Sequence, residues 1–205
     1  MNPNPTLLTT LYFLLFSFTH FPISFTQDAE QVKDTNRNPL LSGSKYFIWP
    51  NFFGTGGEVR LGEETVNSTC SLIVLQEYTY TGRDLAVKFI LPETSTSDMI
   101  YTGMELDIEC VYKQNCAESS KWMMVNTVWI GIVGINDTRH IEDGKFKIEK
   151  HGGRFGYKLV YCPFNIYPPG TCLDIGKADY ENGKRLVVTH ESSDAFEVAF
   201  LNVYD

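Results

Sequence analysis

The chain has little that would support catalysis. Its 205 residues hold four histidines: His20, His140, His151 and His190. None forms an i, i+4 metal pair. No Gly-x-Ser-x-Gly elbow is present, which removes one common route to a serine nucleophile. Gly54-Thr55-Gly56-Gly57 lacks the Lys-Ser/Thr of a phosphate loop and reads as a hairpin turn. Basic clusters are also missing, since Lys184-Arg185 is the longest run, and the net charge is −8. Such a chain has no electrostatic pull toward nucleic acid or anionic lipid, and both are excluded as partners. No stretch keeps a helical period of 3.6, and no linker or low-complexity segment divides the chain.

Charge is absent from the leader as well. Thr6 to Phe25 contains no Lys, Arg, Asp or Glu, and the first charge is Asp28. A short apolar core at an N-terminus reads as a secretory signal, here residues 1–26, with cleavage expected between Ser24 and Gln27. Pro22 and His20 interrupt the run and argue against a membrane anchor. The remaining residues, 27–205, suffice for one well-cored domain in a secreted, monomeric protein. Secretion implies paired cysteines. There are five, at 70, 110, 116, 162 and 172, so one is left over. Asn67 and Asn136 each open an N-x-Thr sequon in polar, turn-like surroundings and are expected glycan sites.

What the chain does have is alternation. Met104, Leu106, Ile108, Cys110 and Tyr112 share one strand face. Glu105, Asp107, Glu109 and Lys113 share the other with Val111. The acidic trio has a spacing a glycosidase pair tolerates, but alternation reads it as a solvated strand face. Lys145 to Lys150 repeats the pattern. Further β-rich runs are Ser71–Leu75, Leu85–Leu91, Tyr157–Tyr161, Leu186–Thr189 and Phe196–Val203, with Gly, Asn, Asp and Pro between them. Many short strands predict an all-β barrel or sandwich. Aromatic and aliphatic strands near 46–49, 104–112 and 157–161 echo one another loosely, which suits a three-fold architecture. Tyr167-Pro168-Pro169-Gly170 reads as a stapled turn, with a peptide-docking tip as the other option.

An ordered set of segments then carries a resemblance. Asn38-Pro39-Leu40, Tyr46-Phe47-Ile48-Trp49-Pro50, Gly56-Gly57-Glu58-Val59-Arg60-Leu61 and Cys70-Ser71-Leu72-Ile73-Val74-Leu75-Gln76 come first. Cys116 with Trp122, Gly144 to Lys150, Tyr157 to Pro163, Cys172 with Asp174-Ile175-Gly176, and Arg185-Leu186-Val187-Val188 follow. Together they resemble the plant Kunitz, or soybean trypsin inhibitor, family along the whole mature chain. The resemblance implies a β-trefoil of twelve strands in three pseudo-repeats, with disulfides Cys70–Cys116 and Cys162–Cys172. Cys110 is then a buried thiol, unless it pairs with Cys116 or another molecule.

The resemblance also implies a non-enzymatic role without cofactor or metal: insertion of an exposed loop into a serine endopeptidase as if it were substrate. The matching loop spans Asp84, Leu85, Ala86, Val87 and Lys88, with Ser42 at the position of the family's supporting Asn. Ala86 falls at the pocket-filling position and cannot reach an acidic pocket, so a chymotrypsin-like or elastase-like target is expected rather than trypsin. A register shift puts Leu85 there instead, and Arg83 is the basic candidate upstream. Leu85, Val87 and Phe89 also alternate as an ordinary strand would. The competing function is a non-inhibitory β-trefoil binding or storage protein, with a carbohydrate or protein ligand.

Overall fold

The computed structural model describes residues 29–51, 54–63, 70, 72–153, 156–181, 183–191 and 194–203. The leader and the Asn67 sequon lie outside them. The first four strands are β1 (Lys45–Pro50), β2 (Val59–Glu63), β3 (Leu72–Gln76) and β4 (Ala86–Ile90). Next come β5 (Asp107–Cys110), β6 (Ala117–Val125), β7 (Trp129–Gly134), the two-residue β8 (Ile141–Glu142) and β9 (Gly144–Lys150). The last are β10 (Tyr157–Pro163), β11 (Leu173–Tyr180), β12 (Gly183–Thr189) and β13 (Glu197–Asn202).

Six of these strands close into a barrel. β1 pairs with β4 and β13, β4 with β5, and β10 with β9 and β13. The remaining seam, β5 to β9, is closed by Leu106 and Phe146, whose main chains exchange hydrogen bonds of 2.9 and 3.0 Å. The other long strands form three hairpins, β2–β3, β6–β7 and β11–β12. One strand of each hairpin meets the other two, through β3–β7, β7–β12 and β12–β3 contacts. A closed barrel capped by three mutually paired hairpins is a β-trefoil. The expected twelve strands are all present, and β8 is an addition pairing with β6.

Alternation drives this closure. In β1, β4, β5, β9 and β13 buried side chains alternate with more exposed ones, up to the last residue or two of β1, β9 and β13. Tyr46, Phe89, Phe146, Tyr157, Tyr161 and Phe200 pack in the interior. Phe89 meets Phe200 edge-on at 5.1 Å, and Phe146 meets Tyr161 at 4.9 Å. Outward positions carry charge. Asp107, on the outward face of β5, pairs with Lys145 at 2.7 Å and Lys121 at 2.9 Å.

Both expected disulfides are formed. Cys70–Cys116 joins residues 46 apart and Cys162–Cys172 residues 10 apart. Closing loops of these lengths contributes about 4 and about 3 kcal/mol in the chain-entropy picture. Cys110 is a buried free thiol, with the Trp122 Nε1–H donating to its sulfur at 3.4 Å. Burial pushes its pKa up to about 11, against the lowering effect of that hydrogen bond.

Candidate functional site

β3 leaves the cap at Gln76 and the chain re-enters the barrel at Ala86. Between them Tyr78, Thr79, Tyr80, Thr81, Gly82 and Arg83 are exposed. This tip is not loose. Glu58, just before β2, is buried with 1% exposure. Its carboxylate accepts from the Thr81 N–H at 3.0 and 3.1 Å, the Thr81 hydroxyl at 2.5 Å and the Arg83 N–H at 2.9 Å. Burial works against the Glu58 charge, but the Thr81 and Arg83 hydrogen bonds outweigh it and hold the carboxyl down to about 2.

Asp84 is the second clamp. It accepts from Trp49 Nε1–H at 2.5 Å and from the Tyr80 hydroxyl at 3.3 Å, while the Trp49 and Tyr80 rings sit 5.4 Å apart. Gly82 turns the tip at φ +75°. Gly57 lets the loop close down, because a Cβ there would run into the Thr79–Tyr80 main chain. Beside the loop lies a hollow of about 840 Å³ whose walls include Trp49, Pro50, Tyr78, Tyr80 and Leu201.

The position of the expected reactive loop is corrected. Ala86, Val87 and Lys88 are not in a loop but in β4. They pair with Phe47, Tyr46 and Lys45 of β1, and Val87 and Lys88 also pair with Cys110 and Glu109 of β5. Val87 is fully buried. Its main chain is taken on both sides, so no protease can pair with it. Leu85 is half-buried against the core, and its N–H donates to the Val59 carbonyl. The apolar alternation of Leu85, Val87 and Phe89 serves the barrel. Of the five expected residues only Asp84 belongs to the braced segment, and the exposed tip lies upstream of it.

Ser42 is corrected likewise. Its hydroxyl accepts from Leu91 N–H at 3.0 Å, so it supports the chain leaving β4, not the loop entering it. The loop's bracing residue is Glu58, which sequence reasoning passed over. No local pattern marks it, because its contact with Thr81 spans 23 residues.

A second exposed tip lies between β10 and β11, closed by Cys162–Cys172. Phe164 is 61% and Tyr167 90% exposed. The Phe164 N–H donates to the Asp143 carbonyl at 3.0 Å, and Thr171 donates to the Pro168 carbonyl from its N–H at 3.2 Å and its hydroxyl at 2.6 Å. Elsewhere, Asn136 sits exposed at φ +62°. Among the described residues no group of three or more His, Cys, Asp or Glu is placed to hold a metal ion.

Comparison with known proteins matches residues 32–202 to the legume Kunitz family, described as trypsin and protease inhibitors. The chain belongs to that family. A Kunitz-type trypsin inhibitor-like 1 protein of Pisum sativum is 41% identical over 204 residues, covering 95% of this chain and 91% of the relative. A subtilisin inhibitor of Canavalia lineata is 36% identical over 185 residues, covering 85% of this chain and 93% of the relative. The crystal structure of a Kunitz-type trypsin inhibitor from Cicer arietinum superposes with a TM-score of 0.76 at 41% identity, covering 85% of this chain and 99% of the other. The Kunitz resemblance read from the sequence therefore holds over the domain.

Proposed function

We infer that this Kunitz protein is a secreted, monomeric inhibitor of serine endopeptidases that presents the Tyr78–Asp84 tip and uses no catalytic group or cofactor of its own. The observation that carries this is the Glu58 clamp. It fixes the tip before any encounter, so little loop entropy is lost on docking. Relatives named for trypsin and subtilisin inhibition support the same reading.

The pocket-filling residue moves from Ala86 or Leu85 to Arg83. Leu85 packs against the core and the Ala86 main chain is paired within β4, whereas Arg83 is exposed. An acidic specificity pocket accepts that guanidinium, so the target class shifts to trypsin-like enzymes. The Arg83 N–H is held by Glu58, which fixes the main chain that carries the exposed side chain.

The test is titration of the chain from Gln27 against active-site-counted trypsin, chymotrypsin, elastase, subtilisin and one cysteine protease. A stoichiometric end point with a serine protease is expected. Arg83→Ala should weaken trypsin inhibition by about tenfold or more. Silence across the serine proteases with both disulfides intact overturns the reading.

The hollow walled by Trp49 and Tyr80 favours a second reading, a binding protein that stacks a sugar or other flat ligand on these rings. Saturable quenching of tryptophan fluorescence by a glycan, in a protein inert toward every protease, would support it.

A further inference from the structure

We propose that the Pro163–Cys172 loop is a second protease-facing site, which seats Tyr167 in the apolar specificity pocket of a chymotrypsin-like serine protease. This rests on the inhibitor reading but uses a different part of the molecule.

Four observations carry it. Tyr167 is the most exposed of the large apolar side chains exposed among the described residues, and Phe164 is exposed in the same loop. Tyr167 makes no hydrogen bond or ring contact with another described residue.

The loop is also stiff. Its ends are joined by the disulfide, Phe164 is tied to Asp143, and Thr171 is tied back to Pro168. Pro163, Pro168 and Pro169 each fix one backbone angle. An aromatic side chain on a pre-ordered loop is the kind of group that dominates a protein interface, because its burial immobilises little that was free.

The segment from Pro163 to Cys172 carries no Asp, Glu, Lys or Arg, in a chain with a net charge of −8. An uncharged tip enters an apolar pocket without stripping water from an ion. That chemistry selects an aromatic-accepting pocket over an acidic one, and so a different enzyme from the one suited to Arg83.

The two tips are also apart. The Trp49 anchor of the first pairs with Ala199, next to Val198, which faces Tyr157 at the start of β10. The stapled loop leaves the far end of that strand, about 20 Å away at the usual rise per residue. Tyr167 is followed by Pro168, whose nitrogen has no N–H and whose ring makes this peptide a poor bond for such enzymes to open. The loop fills the pocket without being consumed.

The test uses the full mature chain and three variants, Tyr167→Ser, Tyr167→Phe and Phe164→Ser, each checked for intact disulfides. Tyr167→Ser should raise the inhibition constant for chymotrypsin about 100-fold, equivalent to about 3 kcal/mol of binding. It should leave trypsin inhibition as it was. Tyr167→Phe should retain chymotrypsin inhibition, Phe164→Ser should weaken it by a smaller factor, and the recovered inhibitor should be uncut at 167–168.

The proposal fails alone if the wild type inhibits trypsin but not chymotrypsin, or if Tyr167→Ser inhibits chymotrypsin as well as the wild type does. Silence of the wild type toward every serine protease fails the inhibitor reading itself. Those outcomes are distinct.

Discussion

Glu58 concentrates several functions of the loop in one carboxylate. It sits at the mouth of the β2–β3 hairpin and accepts from both Thr81 and Arg83, so the charge that burial opposes becomes the nucleus of the tip. Its pKa is lowered from an ordinary 4.5 to about 2 in the folded protein. A depressed carboxylate stabilises the fold above its unfolded pKa, and this contribution fades as pH falls through the folded one. The Thr81 and Arg83 amide resonances should therefore hold steady above about pH 4.5 and move as the pH approaches about 2. Glu58→Gln should remove that acid transition and leave a more mobile tip at neutral pH. An unchanged NMR titration in the variant would show that another group orders the loop. None of this is visible in the sequence without the contact, because a lone Glu after two glycines looks like any solvated turn residue.

At the scale of single strands, β4 shows why the barrel was legible and the site was not. The run Leu85–Leu91 alternates cleanly, and that alternation marks a strand with one buried face. The same residues matched the family's cleavable segment, so two readings competed for one stretch. Pairing decided between them, because Val87 has a partner on either side, Tyr46 in β1 and Cys110 in β5. Sequence periodicity reports burial but not which residue begins a strand, and here a difference of two or three residues moved the exposed tip. Amide exchange is the direct check. Val87, Lys88 and Phe89 should exchange only through global unfolding, whereas Thr79 and Gly82 should exchange far faster. Rapid exchange at Val87 would return the reactive segment to Leu85–Ala86. The clamp from Trp49 to Asp84 spans 35 residues and leaves no local trace in the chain.

Across the whole molecule, the three-fold plan was partly readable. The aromatic strands near residues 46, 108 and 160 belong to β1, β5 and β10, all staves of the barrel. Their recurrence reflects three units that each supply a barrel pair and a cap hairpin. Closure itself, through Leu106 and Phe146 and through β13 returning to β1, depends on partners too distant for any local pattern. The same global closure governs Cys110. While the barrel is shut, its thiol lies under Trp122 and its pKa near 11 leaves almost no thiolate at neutral pH. Once heat opens the barrel, five sulfurs share one flexible chain, and two bridges can be drawn among them in about fifteen ways. The thiolate released then acts as an internal catalyst of exchange, so the molecule loses the record of which partners it began with. Melting at pH 8 should be irreversible and should scramble the bridges. Melting at pH 4, where exchange stalls, should reverse, and Cys110→Ala should reverse at both. Calorimetric rescans with disulfide mapping would read this directly, and full recovery of the wild type at pH 8 would contradict it. A single hidden sulfur thus makes the native pairing a matter of history as well as of free energy.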